Sequence, residues 1–453
     1  MLVTMPHLSP ADAAWLHMEQ PNNLMMITGL LFLREAPERD WMEAFLEHRL
    51  CQFERFRMKI VEPALGVGLP RWQKTEKLDV KRHLVYEHLE DPSESGLLQR
   101  AGQLMSQRLD REHPLWEFRV FPGIQGGAAM IVRLHHAIGD GIALMRVLLS
   151  LCDTSPDAPR PRSDQESCHL EKQEGAFQKA KRLTSHLIHE GHDLIFHPSH
   201  AAEIARAGMG ASKALSRLLS LPADSENAFR GPLQPKKLAA LSNPFPLSAI
   251  KSVGKRLGCT INDVLMAVLA GSLGRSLRRF QDLDPSYEIR VIVPVDLRGG
   301  DVSQLGNQFG IIFLTLPVGE TDPRARLATV HDIMGQLKQS AEAVVAFELL
   351  SVVGGLPTSL ETPIIQWFGN KATAVVTNLP GPKKKLYLAG AEIESMMYWV
   401  PQSGRLGLGV SLMSYAGQIR VGVATDAALI PDPQQLVDDF MTTLDETLSL
   451  EAL

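Results

Sequence analysis

The clearest pattern of hydrophobic and polar positions lies in the first third of the chain. Residues 129–134 are apolar except for Arg133 and predict a strand, and residues 142–149 are apolar except for Arg146 and predict a buried helix. The stretch His135-His136-Ala137-Ile138-Gly139-Asp140-Gly141 stands between them. The two histidines are therefore predicted where a strand ends and a loop enters a helix, a place where proteins tend to hold reactive groups.

The alternation of side chains along a strand separates the two histidines. His135 and His136 are predicted to point to opposite faces, so they cannot both ligate one metal ion. One can face a cleft while the other supports the backbone. A neutral imidazole with a pKa near 6.5 accepts a proton at neutral pH, which makes a general base the functional interpretation. Taken alone, however, the pair is more typical of two buried core histidines beside an ordinary Gly-Asp-Gly turn.

Periodicity and capping signals predict the remaining elements. Thr260-Ile261-Asn262-Asp263 fits a capping box, which gives a structural reason for Asp263 but not for Asn262, whose amide could turn toward a cleft. The other predicted helices cover 8–16, 41–51, 95–109, 247–257, 260–279, 321–349 and 432–448, and the predicted strands cover 25–33, 57–61, 116–121, 287–295, 311–316, 372–377, 394–400, 407–412 and 419–425, with a turn over 378–382.

Length and composition limit the class of protein. The 453 residues suffice for two domains, and 45% hydrophobic with 21% charged residues is typical of a globular protein. A net charge of −5 argues against a nucleic-acid binder. The four cysteines form no CxxC pair, so neither a zinc site nor a redox motif is indicated. Without a basic, apolar leader or an apolar run of about 20 residues, we expect a cytoplasmic protein, either soluble or peripheral at the inner membrane or lipid inclusions.

A change in composition after residue 151 predicts a linker. Residues 153–163 are rich in proline and charge, and residues 177–196 and 201–221 show two amphipathic helical patterns flanked by basic side chains. Such a pair could pack on the body of the protein as a helical hairpin, or it could lie on an anionic membrane surface. We therefore divide the chain into an N-terminal subdomain 1–152, a linker with the hairpin 153–230, and a C-terminal subdomain 231–453.

The HHxxxDG string at residues 135–141 resembles the signature of the CoA-dependent acyltransferase superfamily, which includes chloramphenicol acetyltransferase and the condensation domains of peptide synthetases. The rest of the chain resembles its bacterial wax ester synthase/diacylglycerol acyltransferase branch, and the weakest part of that likeness is 153–230. The motifs that carry it are the opening run from Leu8-Ser9-Pro10 to Met26, Pro114-Leu115-Trp116, Asn262-Asp263 and Asn378-Leu379-Pro380-Gly381-Pro382. The resemblance implies an α/β (α+β) fold of two chloramphenicol acetyltransferase-like subdomains. Each would be a mixed β-sheet flanked by helices, with the active-site channel between them.

The resemblance also assigns residues to roles. It implies a catalytic centre of His136 as the base, with Asp140 and Gly141 beside it and His135 serving the architecture. It implies that Arg298 pairs with Asp140 and joins the two halves. For Asn307, a site role and an ordinary turn at Gly306-Asn307 remain equally open, as do a channel position and a buried aromatic for Trp116. The further residues that it implies at the site are Asn262 and Asp263, as oxyanion or substrate-positioning groups, and Asn378, as a channel residue.

The implied activity is an O-acyltransferase. It would move a long-chain acyl group from acyl-CoA to a fatty alcohol or to diacylglycerol by direct attack. No serine or cysteine stands in a recognisable nucleophile motif, so no acyl-enzyme is expected. Acyl-CoA is a co-substrate, and neither a cofactor nor a metal is expected. Two alternatives stay open: a related acyltransferase with another hydroxyl acceptor, and a non-catalytic relative that binds lipid or an acyl carrier. The sequence does not decide the acceptor, the chain length or the oligomeric state.

Overall fold

Two β-sheets with helices packed against them organise the chain. The computed structural model describes residues 6–63, 68–76, 78–157, 209–298, 305–338, 340–356 and 358–450. The predicted linker beyond residue 157, the predicted helix 177–196 and the start of the helix predicted over 201–221 lie outside these residues. The mixed α/β architecture agrees with the fold class that the resemblance implied.

The described α-helices, numbered in chain order, are α1 Pro10–His17, α2 Arg39–Arg49, α3 Val80–His83, α4 Glu94–Met105, α5 Gly141–Leu151, α6 Met209–Ser220, α7 Leu247–Leu257, α8 Ile261–Leu277, α9 Pro323–Lys338, α10 Glu342–Val353, α11 Thr358–Gly369 and α12 Pro433–Ser449. The described strands are β1 Met26–Leu33, β2 Met58–Val61, β3 Arg71–Lys74, β4 Leu84–Tyr86, β5 Trp116–Pro122, β6 Ala128–His135, β7 Lys237–Leu241, β8 Phe245–Pro246, β9 Ile289–Asp296, β10 Phe309–Leu316, β11 Ala374–Pro380, β12 Tyr387–Leu388, β13 Ala391–Trp399, β14 Leu408–Tyr415 and β15 Gln418–Asp426.

The first sheet has the strand order β12-β13-β1-β6-β5-β4. Its central strand β1 is antiparallel to β6 on one side and to β13 on the other, and Met26 pairs with His135 at the end of β6. All eight residues of β6 are buried, as expected for a strand covered on both faces. Because β12 and β13 come from the last quarter of the chain, they cross the predicted division into subdomains, which itself remains a prediction.

The second sheet has the order β10-β9-β11-β14-β15-β7, with β8 added beside β15. Strand β11 is parallel to both β9 and β14, and the other pairs in this sheet are antiparallel. The predicted hairpin of the last two strands is present as β14 and β15. Its two-residue turn, Ala416-Gly417, has φ of 48° and 81°, the positive values that a tight hairpin turn of this kind requires.

The structure corrects two sequence predictions and adds a helix that the sequence analysis did not predict. The helix predicted over 321–349 is two helices: α9 ends at Lys338, and α10 begins at Glu342 after Ser340 Oγ accepts the Glu342 backbone N–H. The turn predicted from residue 378 begins later, since β11 pairs with β14 as far as Pro380. Helix α11 was not predicted, and it contains Pro363.

None of the described helices is by itself long and apolar enough to cross a bilayer. Helices α7 and α8 meet the length and composition test only together, and they meet at a bend of 101°.

Candidate active site

His136 stands at the seam between the two sheets, immediately after β6. Its ring stacks on Trp15 of α1, with centroids 3.9 Å apart and planes inclined by 17°, while Phe309 at the start of β10 contacts it at a tilt. The residue borders a largely apolar cavity of about 200 Å³. A buried imidazole is thus held beside two aromatic rings at the edge of an apolar cavity.

Asn307 fixes the tautomer of His136. Its Nδ2 donates to Asp12 Oδ1 at 2.8 Å and to the His136 carbonyl oxygen at 2.8 Å. The atom that faces His136 Nδ1, at 2.9 Å, must therefore be the amide oxygen, so Nδ1 carries the hydrogen and donates it. Nε2 then keeps its lone pair, and the part of the chain that the structure describes shows no hydrogen bond to it. That nitrogen is the one that can accept a proton.

The ring is uncharged at neutral pH. Burial lowers the pKa of His136 to about 4, against the smaller raising effects of the Asp140 charge and the hydrogen bond to Asn307. An unprotonated imidazole with one fixed N–H is the form that a general base requires.

Asp12 and Arg55 support this arrangement from behind. Asp12 is fully buried on α1, and it also accepts the Asn307 backbone N–H at 2.9 Å. Arg55 pairs with the second carboxylate oxygen of Asp12 at 3.0 Å and donates to the Ile138 carbonyl at 2.8 Å. The sequence analysis assigned neither residue a role. The one signal was that Asp12 is the only acidic residue on an otherwise apolar first helix.

Asp140 and Arg298 form a bidentate ion pair across the seam. Asp140 also caps α5 by accepting the Ala143 N–H at 2.9 Å, and it accepts the Gln308 N–H at 3.0 Å. Burial raises the pKa of Asp140, but the charge and hydrogen bonds of Arg298 outweigh it and hold that pKa below its usual range. The structure thus brings together the two residues that the resemblance paired, and it ties the histidine loop to the segment after β9.

His135 faces away from the cavity. Its Nδ1 accepts the Ala137 N–H at 3.0 Å, so its Nε2 donates to Glu19, 2.9 Å away, and both side chains are buried. Burial raises the pKa of Glu19, but the His135 hydrogen bond and the charges of Arg111 and Arg108 bring it to about 2. The geometry gives His135 the supporting position that was expected of it.

Asn262 and Asn378 both border the cavity, and Asn378 Nδ2 donates to Asn262 Oδ1 at 2.6 Å. Asp263 does not border it. Its carboxylate accepts the Thr260 N–H at 2.8 Å and completes a capping box, so the site role carried over for Asp263 is replaced by its local structural one. His331 and Cys259 lie near Asp263, with potential ligand atoms within 4.8 Å of one another. His331 Nδ1 lies 2.7 Å from Asp263 Oδ2.

Trp116 is not a channel residue. It is 1% exposed, its indole N–H donates to the Phe56 carbonyl at 2.8 Å, and its ring stacks on His83. It does not border the cavity beside His136. The alternative of a buried aromatic at a strand start is the correct one, because a large ring with a satisfied N–H fits a closed core.

Two family models together match most of the chain. A model of the wax ester synthase/diacylglycerol acyltransferase catalytic domain matches residues 8–265, and a model of the WS/DGAT C-terminal domain matches residues 305–447. Among named relatives, a probable diacylglycerol O-acyltransferase of Mycobacterium tuberculosis is 28% identical over 95% of this chain and 93% of its own. The O-acyltransferase WSD of Acinetobacter baylyi is 27% identical over 98% and 96% of the two chains.

Solved structures show the same fold at lower identity. A wax ester synthase/diacylglycerol acyltransferase from Marinobacter aquaeolei VT8 superposes with a TM-score of 0.68 at 22% identity, over 99% of this chain and 100% of that one. The first condensation domain of the calcium-dependent antibiotic synthetase reaches 0.64 at 14% identity, over 99% and 97% of the two chains. Because the catalytic-domain model alone spans more than half of the residues, the chain belongs to the wax ester synthase/diacylglycerol acyltransferase family.

Proposed function

We propose that this acyltransferase moves a long-chain acyl group from acyl-CoA to the hydroxyl of a fatty alcohol or of diacylglycerol, with His136 as the general base. The observation that carries the proposal is the hydrogen bond from His136 Nδ1 to Asn307 Oδ1, which leaves Nε2 unprotonated on a residue that borders an apolar cavity. The names of the relatives support O-acyl transfer to the same acceptor classes.

In the proposed reaction, Nε2 of His136 takes the proton of the acceptor hydroxyl as its oxygen attacks the thioester carbonyl. The tetrahedral intermediate collapses with cleavage of the carbon–sulfur bond, and the imidazolium returns the proton to the departing CoA sulfur. General base action of this kind contributes about 10²- to 10⁴-fold in rate. The apolar lining keeps water, the competing nucleophile, away from the thioester.

The oxyanion of the intermediate needs a hydrogen-bond donor. Asn262 is the proposed donor because it borders the cavity and because Asn378 holds its amide oxygen, which orients the amide. Asn378 takes a positioning role in this proposal. Loss of one such donor reduces kcat by about 10²- to 10³-fold.

The test is a direct assay on the purified protein. Labelled palmitoyl-CoA is incubated with hexadecanol and, separately, with diacylglycerol, and the lipid products are separated by chromatography. We expect labelled ester with at least one acceptor. Label that remains in palmitoyl-CoA with both acceptors would support a non-catalytic lipid-binding relative. Ester with a different alcohol only would support the alternative acceptor.

We also propose that the outer faces of α10 and α11 contact an anionic phospholipid surface, from which the lipid acceptor enters. Among the described residues, five large hydrophobic side chains are exposed, and the four on α6, α10 and α11 are between 41% and 66% exposed: Leu219, Val352, Leu360 and Trp367. Leu360 and Trp367 are seven residues apart and so share a face of α11. The inner faces of the same two helices border the cavity through Ala346, Leu349, Ile365 and Phe368.

The basic side chains beside this face favour an anionic surface as the partner. The face itself carries little charge: the sequence has two charged residues between 343 and 370, the exposed Glu348 and Glu361, which is buried against His17. Exposed Lys213 and Arg217 lie on the neighbouring α6. We expect Leu360→Ser/Trp367→Ser to reduce co-sedimentation with vesicles that contain phosphatidylglycerol, while Phe280→Ser, an exposed site elsewhere, does not. Unchanged sedimentation of the double variant would contradict this surface, and loss only on deletion of 170–222 would assign the contact to the predicted hairpin.

A further inference from the structure

A second apolar cavity lies behind the histidine loop, between α5 and the inner face of the first sheet. Its volume is about 50 Å³, a quarter of that of the cavity beside His136. Its lining is apolar apart from glycine, cysteine and tyrosine, and includes Val132 of β6, Leu144 and Leu148 of α5, and Met396 of β13. The function proposed above makes no use of this space.

The two cavities meet beside the catalytic loop. Four residues border both of them: Ile27, Gly141, Leu379 and Tyr398. The only side-chain hydroxyl at this junction, that of Tyr398, is hydrogen-bonded to Thr377 Oγ1, so the passage presents no unsatisfied polar side-chain atom. A hydrocarbon chain that starts at His136 can therefore pass Gly141 into the second cavity without leaving an apolar environment.

Two glycines help to keep this space open. A Cβ on Gly141 would lie 4.0 Å from the terminal methyl carbons of both Ile27 and Leu379, within the junction itself. Gly29, in the middle of β1, borders the second cavity where a strand would normally carry a side chain. Neither glycine has the positive φ that would explain it by backbone conformation. A side chain at Gly141 would narrow the passage, and one at Gly29 would fill part of the second cavity.

We infer that the second cavity is the subsite for the distal end of the donor's acyl chain. A cavity needs about 10–15 Å³ to hold one water-sized group, so this one admits roughly four methylene-sized groups in a row. That suits the end of one unbranched chain. Diacylglycerol brings two chains and needs the larger cavity. Helices α10 and α11 form one wall of that cavity, and their outer faces carry the exposed apolar side chains. The inference rests on the acyl transfer proposed above. It adds that the end of the donor's acyl chain lies in the second cavity and the acceptor in the first.

The test fills each cavity separately. Gly29→Val adds three carbons to the second cavity, and Ala346→Val adds two to the wall of the first. For each variant, kcat/KM is measured with palmitoyl-CoA and lauroyl-CoA on a fixed alcohol, and with hexadecanol and dodecanol on a fixed acyl-CoA. We expect Gly29→Val to lower the palmitoyl-to-lauroyl ratio by about 10-fold or more and to leave the alcohol ratio unchanged. Ala346→Val should change the alcohol ratio alone.

Matched variants guard against a folding defect. Gly29→Ala places its Cβ no closer than 3.9 Å to any neighbouring atom, so it should fold and shift the donor ratio in the same direction by less. Gly335→Ala, on an exposed part of α9 with no atom within 4 Å, should change neither ratio. An unchanged donor ratio in both Gly29 variants, or a shift of the alcohol ratio instead, overturns the inference. A wild-type protein that forms no ester at all contradicts the proposed function and not the assignment of the subsite.

Discussion

Asn307 Oδ1 accepts a hydrogen bond from His136 Nδ1 at 2.9 Å, although 171 residues separate the two positions in the chain. The other side of the Asn307 amide is held by Asp12 and by the His136 carbonyl oxygen. The asparagine therefore cannot turn over without breaking two hydrogen bonds. This relationship sets which nitrogen of the catalytic imidazole is free, and the first prediction follows from it.

Asn307→Ala should lower kcat for ester formation by about 10- to 100-fold, because the ring loses both its fixed tautomer and its orientation. KM for palmitoyl-CoA should change little, since Asn307 does not border the cavity. Steady-state kinetics measure both. Asn22→Ala, which removes an amide that donates to the Leu233 carbonyl and does not border the cavity, is the control. A kcat for Asn307→Ala equal to that of the control would contradict the positioning role.

Asp140→Asn should destabilise the protein by up to about 3–5 kcal/mol, because it removes one of the two carboxylates, Asp140 and Asp296, that pair with the buried Arg298. Thermal or denaturant unfolding measures the change. The control is Arg34→Gln, which breaks an ion pair at a position 59% exposed and should change the free energy of unfolding by about 1 kcal/mol or less. Equal effects of the two substitutions would show that the Asp140 pair is not a structural tie.

Local features of this structure could be predicted from the sequence. The capping box at Thr260 and Asp263, the hairpin of β14 and β15 and the closing helix α12 all arise from residues close together in the chain. The division between α9 and α10 could not be predicted, because the apolar pattern continues through Ala341 and Val344 and no side chain caps the second helix. Helix α11 was missed because Pro363 argues against a helix on local grounds.

The contacts that join distant parts of the chain at the site could not be predicted from local sequence patterns. Asp12 lies 295 residues from Asn307, and Glu19 lies 116 residues from His135. Their positions depend on how α1 and the residues just after it pack against parts of the chain far away in sequence, which periodicity does not report. The pairing of Asp140 with Arg298 was expected only because the chain resembles a known family. For Trp116, where a channel position and a buried aromatic had both stayed open, the motif did not decide between them and the structure places the ring in the core.

Asn262 and Asp263 are neighbours that should behave differently. Asn262→Ala should lower kcat by about 10²- to 10³-fold if its amide stabilises the oxyanion. Asp263→Ala should lower the free energy of unfolding by about 0.5–2 kcal/mol through loss of the cap, with kcat nearly unchanged. Kinetics and thermal unfolding of both variants separate the two effects. A larger loss of kcat in Asp263→Ala than in Asn262→Ala would reverse the assignment.

The stability of the protein should report the buried neutral imidazole. The pKa of His136 is about 4 in the fold and about 6.5 in the unfolded chain, so the unfolded state binds more protons between these values. Protonation of His136 therefore costs no stability above pH 6.5, and it lowers the free energy of unfolding by about 3 kcal/mol as the pH drops to 4. Unfolding of the wild type and of His136→Gln, compared from pH 7 to pH 4, isolates this contribution, because the carboxylates are common to both. A difference between the two proteins that does not change with pH would contradict the shifted pKa.

The most direct measurement is the turnover number of His136→Ala with palmitoyl-CoA and hexadecanol, made on protein whose fold is verified by circular dichroism and thermal unfolding. The account predicts a kcat at least about 10²-fold below that of the wild type, with binding of acyl-CoA retained, because only the proton acceptor is removed. A folded His136→Ala protein that forms ester at a rate close to that of the wild type would contradict the account.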